Sequence, residues 1–356
     1  KEGSECLMSA AQRVVVTVSA TAVVTLAVEW VVKALWSRWR AQKKTTTRRV
    51  PTHDRAKQLV GGALDGALSA AQLYLGDRLG LYASLGEVCG ADGTTTVVAL
   101  AEHTKLNRRF LREWCAHQAS MGMLELVDGE GDGDEDLVYK FPAAFWDVVA
   151  NPNSEHYLVS MIQLVPAIVN RARTTLPEAF RTGIGQGYDD PDIVEAIDRA
   201  HANTIKRVIL PKVVHERATT FLKKVSAPGA KGAELGCGAG NLLIALAKAF
   251  PETSFTGFEI SDQALAMCLQ NLRGARVRNA TVRDARKEPL GGGGGDDDLG
   301  GQDGGKGVYD VVVTYDVLHD ATRPQDLVRQ AKRALKPGGV FLVGDIAGLP
   351  TLRANV

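Results

Sequence analysis

Ala233-Glu-Leu-Gly-Cys-Gly-Ala-Gly-Asn241 stands between a short apolar run and a segment with helical spacing, Leu242 to Phe250. It reads as the end of a strand, a glycine turn and the start of a helix. Gly236, Gly238 and Gly240 alternate along the turn. Such glycines let the backbone bend sharply and approach a ligand where a Cβ would clash. The turn also delivers that ligand to a helix N-terminus with free N–H groups. Alone this specifies little, because tight turns enrich glycine generally. The next strand adds more. Ser254-Phe-Thr-Gly-Phe-Glu-Ile260 is an apolar-rich run ending in an acid, Glu259, 19 residues beyond Gly240. In a nucleotide-type βαβ unit, an acid there accepts hydrogen bonds from both ribose hydroxyls. The spacing suits a dinucleotide or an adenosine ligand equally, and a solvated strand end is the ordinary alternative.

The order of the glycines discriminates. Dinucleotide folds use Gly-x-Gly-x-x-Gly, whereas this chain has Gly-x-Gly-x-Gly with Glu234 just upstream. That arrangement resembles the first motif of class I S-adenosylmethionine-dependent methyltransferases, and three further stretches follow in the family's order. Val282-Arg-Asp-Ala285 is similar to the acidic loop after the third strand. Tyr309-Asp-Val-Val-Val-Thr-Tyr-Asp-Val-Leu-His-Asp320 is similar to strand four and its loop. Ala334-Leu-Lys-Pro-Gly-Gly-Val-Phe-Leu-Val343 is similar to the helix end, turn and fifth strand. The resemblance implies an α/β fold, a Rossmann-like class I methyltransferase domain. It implies S-adenosyl-L-methionine as cofactor and an enzyme that methylates a small-molecule acceptor, at oxygen by family analogy. The family continues past strand five with a helix and an antiparallel strand pair, so the domain is read as C-terminally incomplete at Val356.

Residue roles follow from the same resemblance. The backbone around Gly236, Cys237, Gly238 and Gly240, with Glu234, would hold the methionine part. Glu259 would hold the ribose and Ile260 would flank the adenine. Asp284 and Ala285 would contact the adenine edge, although Asp284 could equally cap the next turn. Tyr315 and Asp316 would border the methionine moiety. His319 follows strand four, where donor methyl and acceptor meet in this fold. An imidazole there can take a proton from a hydroxyl or phenol, oriented by Asp320 or Asp316. Its alternatives are a structural histidine or one touching only the cofactor.

Upstream, Ala63 to Val165 reads as helical with one hairpin. Thr94-Thr-Thr-Val-Val-Ala-Leu-Ala-Glu-His-Thr104 starts with a Thr-type cap, and Arg108 to Met123 forms a second helix. Leu124–Val127 and Leu137–Phe141 then pair around a polar loop. Helix–turn–helix plus hairpin is a winged helix. Leu75-Gly-Asp-Arg-Leu-Gly-Leu-Tyr82 and Leu106-Asn-Arg-Arg-Phe-Leu-Arg-Glu-Trp114 resemble the N-terminal domain of bacterial-type winged-helix-fused methyltransferases. That implies a homodimer and a domain that helps enclose substrate. Arg108, Arg109 and Arg112 invite a second reading, a DNA-binding regulator with a ligand-sensing domain. The wing disfavours nucleic acid, because Glu130, Asp132, Asp134, Glu135 and Asp136 give it the wrong sign. A third reading is an inactive scaffold.

Charge is nearly balanced at +1, which removes any global electrostatic case for nucleic acid. The five cysteines are scattered, without metal-ligand spacing, and read as reduced thiols. No metal is expected. Val14 to Trp36 is mostly apolar over 23 residues, roughly 35 Å as a helix and enough to cross a bilayer. The basic residues from Arg38 to Arg49 would keep the downstream domains cytoplasmic. Read from Met8, the segment also suits an organelle-targeting peptide, and a soluble cytoplasmic protein is the remaining option. The division expected is 1–52 hydrophobic segment and basic linker, 53–165 winged helix, 166–228 helical connector and 229–356 methyltransferase domain. Residues 291–307, mostly Gly and Asp, form an insertion that buries nothing and is expected to be disordered.

Overall fold

The computed structural model describes residues 52–127, 137–187, 189–291 and 307–346. The apolar run 14–36, the acidic loop 128–136 and the core of the glycine–aspartate insertion lie outside these residues. None of the described helices is long and apolar enough to cross a membrane. The described chain divides into a helical unit, 52–187 with 195–203, and a sheet unit, 189–194 with 204–346.

The sheet unit is built on five strands, β4 (Lys231–Leu235), β5 (Ser254–Glu259), β6 (Ala280–Asp284), β7 (Tyr309–Tyr315) and β8 (Leu335–Gly344). Their order is β6-β5-β4-β7-β8, and every neighbouring pair is parallel. The chain runs outward from β4 to β6, then returns to the other side of β4. That reversal opens a crevice beyond the carboxyl ends of β4 and β7, where open α/β sheets bind ligands. Strands buried on both faces need apolar residues of both parities. Val311 and Val313 accordingly join Phe255 and Leu242, Leu243 and Leu246 in one core, while Val312 joins Ala233, Leu235 and Phe258 in the other. The Pro-Gly-Gly turn expected before strand five lies inside β8, as an excursion where the pairing with Tyr309 shifts to Val311. Among the described residues β8 pairs with β7 alone.

The helical unit begins with α1 (His53–Arg78), capped by the Thr52 hydroxyl on Arg55 N, and α2 (Leu81–Val88). The order then is β1 (Thr94–Thr96), α3 (Val97–Thr104), α4 (Arg108–Ser120), β2 (Glu125–Val127) and β3 (Val138–Lys140). β3 is the centre of a three-stranded antiparallel sheet, order β1-β3-β2. Thr94–Thr96, expected as a helix cap, forms the extra strand, and only Thr96 caps, its hydroxyl accepting from Ala99 N. Leu85, Leu100, Leu111, Trp114 and Tyr139 form the core beneath the helices. Tyr82 donates to Gln118 inside it at 3.0 Å. α1 carries Gly61, Gly62 and Gly66, each costing a helix about 1 kcal/mol relative to alanine.

Candidate functional site

The turn after β4 takes the backbone through three left-handed positions, Gly236 (φ 70), Gly238 (φ 53) and Gly240 (φ 89). Two of these glycines are required by packing as well as conformation. A Cβ on Gly236 would meet Val317 at 2.6 Å, and one on Gly240 would meet the Cys268 Sγ at 2.7 Å. A Cβ on Gly238 would meet nothing within 4 Å. Gly238 therefore faces open space, as a backbone cradle for a ligand would. Gly240 is the N-cap of α5 (Asn241–Ala249), so the cradle runs into a helix N-terminus.

Glu259 closes the turn onto β5. Its Oε2 accepts from Gly238 N at 2.8 Å, and its Oε1 accepts from Ile260 N and Ser261 N at 2.7 and 2.9 Å. Gly236 N and Cys237 N donate to Phe258 O. Three backbone donors on one carboxylate leave acceptor capacity for another donor. Ile260, alongside, is an exposed apolar residue. Glu234, under the turn, is buried with its Oε2 unpartnered. Burial, then the nearby Cys268 and Glu259, push its carboxyl well above the usual range. The Cys237 thiol is also pushed up, by its hydrogen bond to Cys268 and by burial, which makes it a small inert filler rather than a nucleophile.

Ala285 N donates to Glu259 O at 2.8 Å, which ties the loop after β6 to the same end of the sheet. Asp284 is already well supplied with donors. Its Oδ1 accepts from Arg286 N and Nε, and its Oδ2 from Arg286 Nη2 at 2.8 Å, with Lys287 Nζ at 3.3 Å. The Arg286 guanidinium holds this carboxyl well below the usual range and also binds Asp262 at the start of α6 (Asp262–Ala275). Arg286 thus bridges the loops after β5 and β6, a feature absent from the sequence reading.

Tyr315 and Asp316 end β7. Tyr315 is largely buried, and its hydroxyl is pushed up by that burial and then by Asp316. Asp316 adopts φ 59 and donates from its N–H to Gly344 O at 2.8 Å. Beyond it, His319 Nδ1 lies 2.6 Å from Asp345 Oδ1 and 3.8 Å from Asp316 Oδ1, while Nε2 lies 3.1 Å from Asp320 Oδ2. The carboxylate closest to the imidazole is therefore Asp345, at the end of β8, which sequence reasoning missed. Its only signal was an acid directly after a strand expected beside strand four. Asp345 is itself fixed by Leu318 N at 2.8 Å and Ile346 N at 2.7 Å. Asp316, His319 and Asp345 also place ligand atoms within 4.8 Å of one another, a spacing that could hold a metal ion.

All of the expected site residues thus lie along one edge of the sheet, at the ends of β4, β5, β6 and β7. The open cradle at Gly238 and the remaining acceptor capacity of Glu259 suit a ligand that offers hydroxyl or N–H donors. Residues 233–341 match the family described as Methyltransferase domain. No curated protein matches the chain. Among solved structures, the mitomycin 7-O-methyltransferase MmcR is similar at 22% identity and TM-score 0.50, over 84% of this chain and 83% of its own. An O-methyltransferase described as putative, from Nostoc punctiforme, is similar at 17% identity and TM-score 0.54, over 81% of this chain and 79% of its own. Within the sheet unit, residues 233–341 are a methyltransferase domain by this match, and the parallel sheet has the fold of the solved O-methyltransferases.

The buried acid makes a prediction about pH. The folded state keeps a proton on Glu234 that the unfolded carboxyl releases near its usual 4.5. Its contribution to stability is therefore greatest below that pH and falls as pH rises toward the raised folded value. Glu234→Gln, which mimics the neutral acid, should flatten this decline when chemical unfolding of the cofactor-free protein is compared at pH 5 and pH 8. An unchanged slope would show Glu234 ionised in the fold. The turn makes another prediction. Gly240→Ala combines a strained φ with a clash, at about 1–3 kcal/mol, and adding Cys268→Ala should recover part of the lost stability by removing the sulfur.

Proposed function

We propose that the protein transfers a methyl group from S-adenosylmethionine to an oxygen of a small-molecule acceptor, with His319 as general base. The observation that carries this reading is the Asp345–His319 pair at the end of β7 and β8, on the same sheet edge as the cofactor cradle. Support for oxygen comes from the O-methyltransferases that share the fold.

When bound, the cofactor supplies an electrophilic methyl on a sulfonium, so the protein's task is positioning and proton handling. The backbone of Gly236–Gly240 with Glu234 would hold the methionine end. Glu259 would take the ribose hydroxyls, and Ile260 with the Asp284–Ala285 loop would flank the adenine. In the tautomer with its proton on Nδ1, Asp345 accepts from Nδ1–H. Nε2 is then the nitrogen that takes the acceptor's proton, and Asp320 Oδ2, 3.1 Å away, would receive a hydrogen bond from the resulting imidazolium. A homodimer through the winged-helix domain and a membrane tether at 14–36 with the catalytic unit on the cytoplasmic side complete the reading. The tether is supported by the apolar run and its basic flank alone.

A methyl-transfer screen of phenols, carboxylates and hydroxylated lipids should find an acceptor. With it, His319→Ala should lower kcat by roughly 10²–10⁴-fold while calorimetry shows unchanged cofactor affinity. Asp345→Asn should lower kcat less and shift the pH profile. Full turnover by His319→Ala would remove the base assignment.

A further inference from the structure

Glu259 and Asp284 are partners across the parallel pair of β5 and β6, and adjacent strands lie about 4.8 Å apart. A base whose ribose is held at Glu259 therefore comes to the end of β6, beside the exposed Ile260. Adenine would offer its 6-amino group there, and Asp284 is the acid that the register brings alongside.

A carboxylate has about four acceptor positions, and in Asp284 all of them are used. Oδ1 accepts from Arg286 N at 3.0 Å and Nε at 2.8 Å. Oδ2 accepts from Arg286 Nη2 at 2.8 Å and lies 3.3 Å from Lys287 Nζ. Nε and Nη2 thus form a fork over both oxygens, the geometry that gives a guanidinium–carboxylate pair its strength and specificity. The fork is braced from behind, because Asp262 Oδ2 accepts from Arg286 Nη1 at 3.2 Å. The Asp284 side chain is only 15% exposed, so water screens this pair less than an ordinary surface one. A 6-amino group reaching Asp284 would have to replace a cation with a neutral donor and give up the attraction between opposite charges. Even the loosest of the four donors, Lys287, is an ammonium.

We infer that Arg286 withdraws Asp284 from reading the purine, so that this site takes sulfonium and thioether nucleosides with a 6-oxopurine base about as well as those with adenine. This selectivity rests on the cofactor reading above. Recognition then falls to Glu259 at the ribose and to the glycine turn at the amino-acid end. Arg286 sets specificity by acting through Asp284.

Calorimetric titration of the full chain with S-adenosylhomocysteine and S-inosylhomocysteine tests it. The wild type should bind both with dissociation constants within about threefold, less than a typical net hydrogen bond is worth. Arg286→Ala removes the fork and should create a preference for the adenosyl ligand of about tenfold or more. Adding Asp284→Ala should erase that preference. A purely structural role for Arg286 would weaken both ligands alike, and an unmoved ratio in Arg286→Ala overturns the inference. So does a wild type that prefers the adenosyl ligand beyond that threefold margin, a result that stands even if the Arg286 variants fail to fold. A wild type that binds neither ligand removes the cofactor reading and this inference with it.

Discussion

The Glu259 carboxylate, shared among the N–H groups of Gly238, Ile260 and Ser261, is the interaction on which the site depends. It joins the turn after β4 to the end of β5, two adjacent parallel strands whose connecting helix starts at that turn. Without it, a turn with three alternate left-handed glycines would be a floppy loop rather than a shaped cradle. Charge-assisted bonds to backbone N–H groups are strong for their size, and here they also set the direction in which Gly238 faces. The same carboxylate keeps acceptor capacity for a ligand, so one residue both builds the cradle and is available to its occupant.

The glycine turn and its acid were legible because their constraints are local. A glycine at positive φ, or an acid at a strand end, leaves its mark at a fixed position, and Gly236, Gly238, Gly240 and Glu259 all stand where spacing put them. The α/β fold was implied by the same motifs, since alternating βα segments favour a parallel sheet, whereas the strand order came from the structure. What stayed hidden was long-range. Asp345 reaches His319 only because β8 lies beside β7, and the chain between these residues, 26 positions apart, carries no sign of the pairing. Arg286 saturating Asp284 depends on a side chain's choice of partner, which spacing cannot specify. The burial of Glu234 was likewise invisible, because an acid next to a glycine turn reads the same whether wet or dry.

In the helical unit the helix–turn–helix and hairpin were readable from caps and alternation, but β1 was not. Three consecutive threonines suit a strand and a cap equally, and pairing with β3 decided the matter.

The cofactor cradle is the central claim, and equilibrium binding tests it most directly. Calorimetric titration of the full chain with S-adenosylmethionine, S-adenosylhomocysteine and NAD should show binding of the first two and none of the third. Glu259→Ala should abolish that binding while the protein remains folded. Binding of NAD in place of the sulfonium cofactor, or undiminished binding by Glu259→Ala, would contradict the account.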